Sequence, residues 1–308
     1  MFADLFSRTI VPVPPFARTE DGEVSPDENR AIMAHIASGG VRVFLIGGNA
    51  LVQHWPMSSY AHWWDTLVTV APKGSLLIPS VGPDAGKLQD QADILRDRDV
   101  AAAMLLPFVT PFDPAGLTDA MRAFYRVSGV PLIVYIKTRD YLEAGLLGTL
   151  KADGVVAGVK YAVPCADGAF DAYLDSLIAA LGADHILSGF GEPPAMAHLS
   201  EKNLQSFTSG CCCIAPALSM GLRKALKAGD TAMAQSILAR FEPLEALRND
   251  IGEIRVLHEA LAGAGIAETG PILKPCDPVP EARRTDIHKA AQELLAAEQA
   301  FRAGDILE

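Results

Sequence analysis

Lys160 closes the apolar run Val155-Val156-Ala157-Gly158-Val159-Lys160, and a strand ending this way delivers an amine into a water-poor pocket. An ordinary lysine, with a pKa of roughly 10.4, is protonated at neutral pH; burial disfavours the charged form and makes the amine a nucleophile able to capture a carbonyl carbon. Lys137 is its rival, because it too ends a run, Leu132-Ile133-Val134-Tyr135-Ile136-Lys137. Two places past Tyr135, it shares that tyrosine's face of a strand, and its other role is to pair with a substrate carboxylate. A lysine at the end of an arbitrary strand is usually a solvated surface residue, so the chemistry depends on where these strands stand.

Short apolar runs recur along the chain, each followed by a helical pattern, which is the alternation of a parallel sheet. Eight are read, at residues 8–13, 41–47, 75–81, 101–107, 131–136, 155–160, 185–189 and 206–214. Their continuous apolarity suits strands buried on both faces. Helices are expected from Pro26 to Gly39, with Ser25 as N-cap and Glu28 completing a capping box. Others fall near 58–71, 84–97, 116–128, 140–152, 170–181, 192–203 and 216–228. No GxGxxG opens the first unit, so the count predicts an α/β chain folded as a closed (β/α)8 TIM barrel over residues 1–229. Residues 230–308 read as a C-terminal helical extension with segments at 231–249, 251–264 and 283–303, assigned to packing on the barrel or a subunit interface.

Barrel active sites lie at the C-terminal strand ends. Those ends give Gly47-Gly48-Asn49 after strand 2, Pro107-Phe108-Val109-Thr110 after strand 4, and Tyr135 to Arg139 on strand 5. Lys160 follows on strand 6, Gly189 to Glu192 after strand 7, and Gly210 to Cys213 near strand 8. Gly47, Gly48, Asn49, Arg139, Gly189 and Gly210 are the candidate substrate contacts. The net charge of −11 with no basic block argues against nucleic acid and anionic membrane as partners. The apolar runs are far short of the ~20 residues of a membrane helix, and no secretory signal opens the chain, so a cytoplasmic location is expected. Five cysteines without CxxC spacing and seven histidines without HxH or HExxH leave no metal site to propose, and no cofactor is expected. Cys211-Cys212-Cys213, placed on a strand, would point to alternate faces and serve as small core residues.

The set of strand ends resembles the dihydrodipicolinate synthase/N-acetylneuraminate lyase family of Schiff-base class I aldolases over nearly the whole chain. The likeness rests on the strand-5 tyrosine in VPLIVYIKTR followed by the GVK lysine about 25 residues later, matched by Tyr135 and Lys160. It also rests on the opening TIVPVPPF and on Gly270-Pro271-Ile272-Leu273-Lys274-Pro275. Gly47 to Ala50 falls where a Gly-Thr-Thr-Gly-Glu loop is usual. The resemblance implies a lyase that binds pyruvate or another 2-keto acid as an imine on Lys160. Tyr135 would move protons, the Gly47-Gly48-Asn49 loop would present N–H groups to the carboxylate, and Asn49 would add a side-chain donor. It also implies a homo-oligomer, a dimer or a tetramer built from dimers.

Departures from that pattern are equally legible. Gly48 and Asn49 replace the relay threonines, Leu51 the loop glutamate, and Phe108 stands where a tyrosine-bearing segment is usual. These losses argue against the lysine-biosynthetic synthase itself and leave the imine step intact. Alternatives are a Schiff-base sugar-acid dehydratase and an inactive keto-acid-binding barrel. Glu192 reads equally as a helix-start carboxylate or a substrate contact, Arg139 as a clamp or a solvated loop residue, Gly47-Gly48 as a tight turn. Trp55, Trp63 and Trp64 read as packing residues near the strand-2 loop.

Overall fold

The computed structural model describes residues 6–108, 111–164 and 171–304. Eight strands alternate with helices: β1 (Val11–Pro12), β2 (Val43–Ile46), β3 (Leu76–Val81), β4 (Ala103–Leu105), β5 (Leu132–Ile136), β6 (Val156–Tyr161), β7 (Ile186–Ser188) and β8 (Ser206–Ser209). The outer ring is α1 (Pro26–Ser38), α2 (Met57–Val70), α3 (Ala85–Leu95), α4 (Pro114–Ser128), α5 (Ala144–Ala152), α6 (Ala172–Leu181), α7 (Ala195–Ser200) and α8 (Pro216–Ala228). All the pairings are parallel in the order β1-β8-β7-β6-β5-β4-β3-β2, and β1 packs beside β2, so the sheet is a nearly closed TIM barrel.

Inward side chains such as Val13, Leu45, Ile78, Met104, Ile133 and Leu187 fill the barrel. Outward ones such as Phe44, Leu105, Val134, Ile136 and Val159 pack beneath the helices, which accounts for the continuous apolarity of the runs. β1 is short because Pro12, Pro14 and Pro15 supply no N–H for a ladder. Near that seam, the Asn49 side chain donates from Nδ2 to the Val13 carbonyl at 2.6 Å.

Several elements depart from the sequence expectation. The Ser25 hydroxyl makes no cap bond. Asn29 instead donates from Nδ2 to the Ser25 and Ala17 carbonyls, and Glu28 accepts from the Glu268 N–H. The helix expected over 192–203 shrinks to the single turn and a half of α7, since Pro193 and Pro194 cannot continue a helix interior. The run 206–214 leaves the sheet after Ser209: Gly210 adopts helical angles and Cys211–Cys213 form a 3-10 turn. The alternate-face argument for the cysteines therefore fails, though all three are fully buried. Trp55 and Trp63 stack about Phe16 at centroid distances of 4.6 and 5.0 Å, and the Trp63 indole donates to Glu23 Oε2.

Past Gly229 (φ 73°), the chain continues as α9 (Thr231–Ile251), α10 (Glu253–Gly263) and α11 (Glu281–Ala303). The Asp230 carboxylate caps α9 by accepting from the Met233 N–H. The segment before α11 locks onto the loop after β1. Thr269 accepts from the Arg18 N–H at 3.0 Å. Gly270, at φ 66°, lies so close that a β-carbon there would stand 1.9 Å from the Arg18 carbonyl oxygen, so only glycine fits.

Candidate functional site

A single irregularity in β6 aims Lys160. β5 pairs Leu132 with Val156 but Ile133 with Gly158, so one residue of β6 has no opposite number. Ahead of the break, Val156 packs outward and Ala157 inward; beyond it, Val159 and Tyr161 pack outward. Strict alternation from Ala157 would have turned Val159 in and Lys160 out. The extra residue reverses the phase, as a β-bulge does, and sends Lys160 into the barrel mouth. The Nδ1 of His185 lies 2.8 Å from the Ala157 carbonyl oxygen, so that nitrogen carries the proton and satisfies an acceptor at the bulge.

Lys160 then stands across the ladder from Tyr135. It is 5% exposed, and its Nζ lies 4.0 Å from the centroid of the Tyr135 ring. Burial lowers the amine to a pKa of about 7; the Lys137 ammonium and Arg248 guanidinium push the same way, and the Glu253 carboxylate opposes them. About half of the amine is therefore unprotonated at pH 7, whereas an ordinary lysine offers roughly one part in several thousand. The Tyr135 phenol moves in the opposite direction, held protonated by burial and then by Glu253, so it is a proton donor. Lys137, the rival amine, is solvent-exposed, with its Nζ 5.8 Å from the same ring centroid.

The two nitrogens open onto a cavity of about 840 Å³ at the C-terminal ends of the strands. Its lining combines apolar groups such as Val13, Leu106 and Pro107 with polar ones such as Ser209, Arg248 and Glu253. A buried amine of lowered basicity, a phenol that keeps its proton and a walled cavity together suit carbonyl capture and iminium chemistry. The profile of the dihydrodipicolinate synthetase family matches residues 90–294. The chain belongs to that family.

Members of the family are Schiff-base class I aldolases and lyases. Solved structures share its fold. Dihydrodipicolinate synthase of Bacillus clausii has 18% identity and a TM-score of 0.81, covering 97% of this chain and 100% of its own. The wild-type sialic acid aldolase of Ruminococcus gnavus has 17% identity and a TM-score of 0.79, covering 96% and 99%. A prophage protein of the dihydrodipicolinic acid synthase family from E. coli K12, solved in complex with pyruvate, has 17% identity and a TM-score of 0.78, covering 93% and 98%. Comparison with curated protein sequences gives no match.

The residues picked from the strand ends divide into those on the cavity wall and those behind it. Tyr135, Lys160, Gly48, Asn49, Gly189 and Gly210 line the cavity. Gly47 does not: it packs where a β-carbon would stand 2.9 Å from Met104 Cε, and its carbonyl accepts from the Ala50 and Val52 N–H groups. Asn49 spends one of its two side-chain amide protons on the Val13 carbonyl, which stitches the β1–β2 seam. Gly48 and Asn49 open a 3-10 turn (Gly48–Ala50), whose first N–H groups have no intrahelical acceptor. Arg139 is about half exposed, outside the cavity wall, and forms an ion pair with Asp171 at 3.6 Å, so the carboxylate-clamp expectation is corrected to a loop contact. Glu192 is neither substrate contact nor helix-start charge. Fully buried, it accepts through Oε1 from Ser209 and Ser219, both at 2.6 Å. Val109, Thr110 and Cys165 lie outside the described residues.

Sequence reading missed the contribution of the C-terminal extension. Glu245, Arg248 and Asn249 of α9, with Glu253 and Ile254 of α10, form one wall of the cavity, so the extension does more than pack. Arg248 donates from Nη1 to Glu245 Oε1 at 2.6 Å, and a β-carbon on Gly210 would stand 2.8 Å from its Nη2. The signal was present in the periodicity. Phe241, Leu244, Glu245 and Arg248 follow the i, i+3, i+4, i+7 spacing of a buried helix stripe and are all buried, so two charged residues occupy core slots. Among the described residues, no group of three or more His, Cys, Asp or Glu is placed to hold a metal ion, and no helix is long and apolar enough to cross a membrane.

Proposed function

We propose that the protein is a lyase acting on pyruvate or a longer 2-keto acid, with Lys160 as the imine-forming amine and Tyr135 as its proton shuttle. The carrying observation is the Lys160 amine, buried at a strand end and held 4.0 Å over the Tyr135 ring. The neutral amine attacks the keto carbon, the carbonyl π electrons pass to oxygen, and the surplus proton on the newly bonded nitrogen moves to that oxygen to give the carbinolamine. The Tyr135 phenol then protonates the carbinolamine hydroxyl, water leaves, and the iminium forms. This cation draws electrons from the bond at the neighbouring carbon, so that either C–C cleavage or C–C formation proceeds through an enamine. Carboxylate capture belongs to the Gly48 and Asn49 N–H groups. The same reading includes a homo-oligomeric assembly, dimer or tetramer.

Borohydride reduction in the presence of pyruvate, followed by peptide mass mapping, tests this. A reduced adduct on Lys160 that is missing in Lys160→Ala supports it. An adduct confined to Lys137, or none with a panel of 2-keto acids, overturns it. Assays for released pyruvate and for dehydration of sugar acids then separate cleavage from dehydration, since both start from the same iminium.

A further inference from the structure

Tyr135 and Lys160 are directly opposite across the β5–β6 ladder, and Lys137 continues β5 by one residue on the face that Tyr135 occupies. The three side chains therefore form one cluster in the barrel mouth. Both amines address the same ring: the Lys160 Nζ is 4.0 Å from its centroid and the Lys137 Nζ 5.8 Å. Both line the same cavity, one buried and the other open to solvent. Among the described residues, no ion pair to Lys137 accompanies the ring contact, in contrast to Lys202, which is held by Asp175 at 2.7 Å.

We propose that the ammonium of Lys137 is a positioning charge that disfavours a second positive charge on Lys160 and so keeps that amine nucleophilic at neutral pH. The inference rests on the imine reading above. It assigns a function to a residue that lies beyond the strand and touches no reacting atom. Of two neighbouring ammonium groups the desolvated one is cheaper to neutralise, so the buried amine is the one that yields its proton. Other charges acting on Lys160 are Arg248, which reinforces Lys137, and Glu253, which opposes it. Asp171, Glu245, His198 and Lys202 also face the cavity. Asp171 is tied to Arg139 and Tyr161, Glu245 to Arg248, and Lys202 to Asp175, while burial lowers His198 towards neutrality. Lys137 and Glu253 are thus the opposed exposed charges at the mouth, and removing either shifts the balance in a predictable direction.

The test reads the protonation of Lys160 without needing the natural substrate. Competitive acetylation by acetic anhydride across a pH series, followed by mass spectrometry of the peptide containing Lys160, gives the midpoint at which that amine becomes reactive. Removing the like charge that shares the Tyr135 ring with Lys160 moves the midpoint up by about one pH unit in Lys137→Met, so that Lys160 reacts about five-fold more slowly at pH 7 and about equally at pH 9. Lys137→Arg, which keeps the charge, restores the wild-type midpoint, and Glu253→Gln moves it down. Borohydride trapping with pyruvate follows the same pH shift. An unchanged Lys160 midpoint in Lys137→Met overturns the proposal. So does a pH-independent rise in KM for keto acid alone, which would make Lys137 a carboxylate anchor instead. If acetylation shows the shift but no 2-keto acid is trapped, the electrostatic coupling stands and the lyase reading is what fails.

Discussion

Holding an amine unprotonated inside the barrel has a cost in stability, and replacing Lys160 with methionine reveals it. The side chain keeps its length and apolar stem, and only the titrating nitrogen is lost. In the unfolded chain the lysine titrates at 10.5, and in the folded protein at about 7. Between those values the unfolded state holds a proton that the folded state has released, so wild-type stability rises with pH across the window and falls as pH drops through it towards 7. Each pH unit is worth about 1.4 kcal/mol, so the amine costs the fold about 4 kcal/mol at pH 7 and about 2 kcal/mol at pH 9. Lys160→Met is therefore expected to be inactive and more stable than the wild type, with its advantage at pH 7 roughly halved at pH 9. Guanidinium unfolding of both proteins at the two pH values measures this, because every other titrating group cancels in the difference. A methionine variant no more stable than the wild type at pH 7, or an advantage equal at both values, would refute the claim that the amine is held neutral by its surroundings.

Three further outcomes follow from the same geometry. Deleting Gly158 removes the extra residue of β6, and strict alternation then runs from Ala157 (inward) through Val159 (outward) to Lys160 (inward), so borohydride trapping on Lys160 should survive the deletion while circular dichroism still reports a folded barrel. Gly270→Ala forces a β-carbon to 1.9 Å from the Arg18 carbonyl at a positive φ and is expected to lower stability by about 2–4 kcal/mol, read from the denaturant midpoint. Glu192 has its acidity weakened, to a pKa of about 7, by burial and the neighbouring Glu245. Its contribution to stability is thus present below 4.5 and lost as pH rises through 7. Glu192→Gln keeps an acceptor for Ser209 and Ser219, so its stability relative to the wild type should climb between pH 4.5 and 7 and then level off.

What the sequence revealed and what it hid share a physical cause. Apolar runs report burial on both faces, so all eight strands and the barrel were legible from them, and a lysine at the end of such a run announced itself as out of place. The facing of that lysine was not legible, because a run apolar on both sides carries no period-two signal from which to count. The bulge at Ala157–Gly158, which decides whether Lys160 faces the cavity or the helices, leaves no trace beyond one glycine. The proline pair ahead of α7 is visible in the sequence and stops the helix, whereas the helical turn at Cys211–Cys213 is hidden by three small residues that suit a strand equally well.

Arg248 and Glu253 were hidden for a different reason. Strand-end logic confines the search to the barrel's own loops, whereas the cavity here is completed by helices from the C-terminal extension. Those helices bring charged groups to the cavity wall. Gly48 brings no side chain from the β2 side, Phe108 offers no phenol from the β4 side, and Arg248, Asn249 and Glu253 supply polar groups from the C-terminal extension. Lys160 and Tyr135 are unaffected by that exchange, because β5 and β6 position them through register alone. On the proposed lyase reading, imine formation and partner choice are therefore separable. Substitutions on α9 and α10 should alter which carbonyl compounds are processed, through KM and kcat for the second substrate, while leaving the trapping of pyruvate on Lys160 within the modest range set by the charges of Arg248 and Glu253.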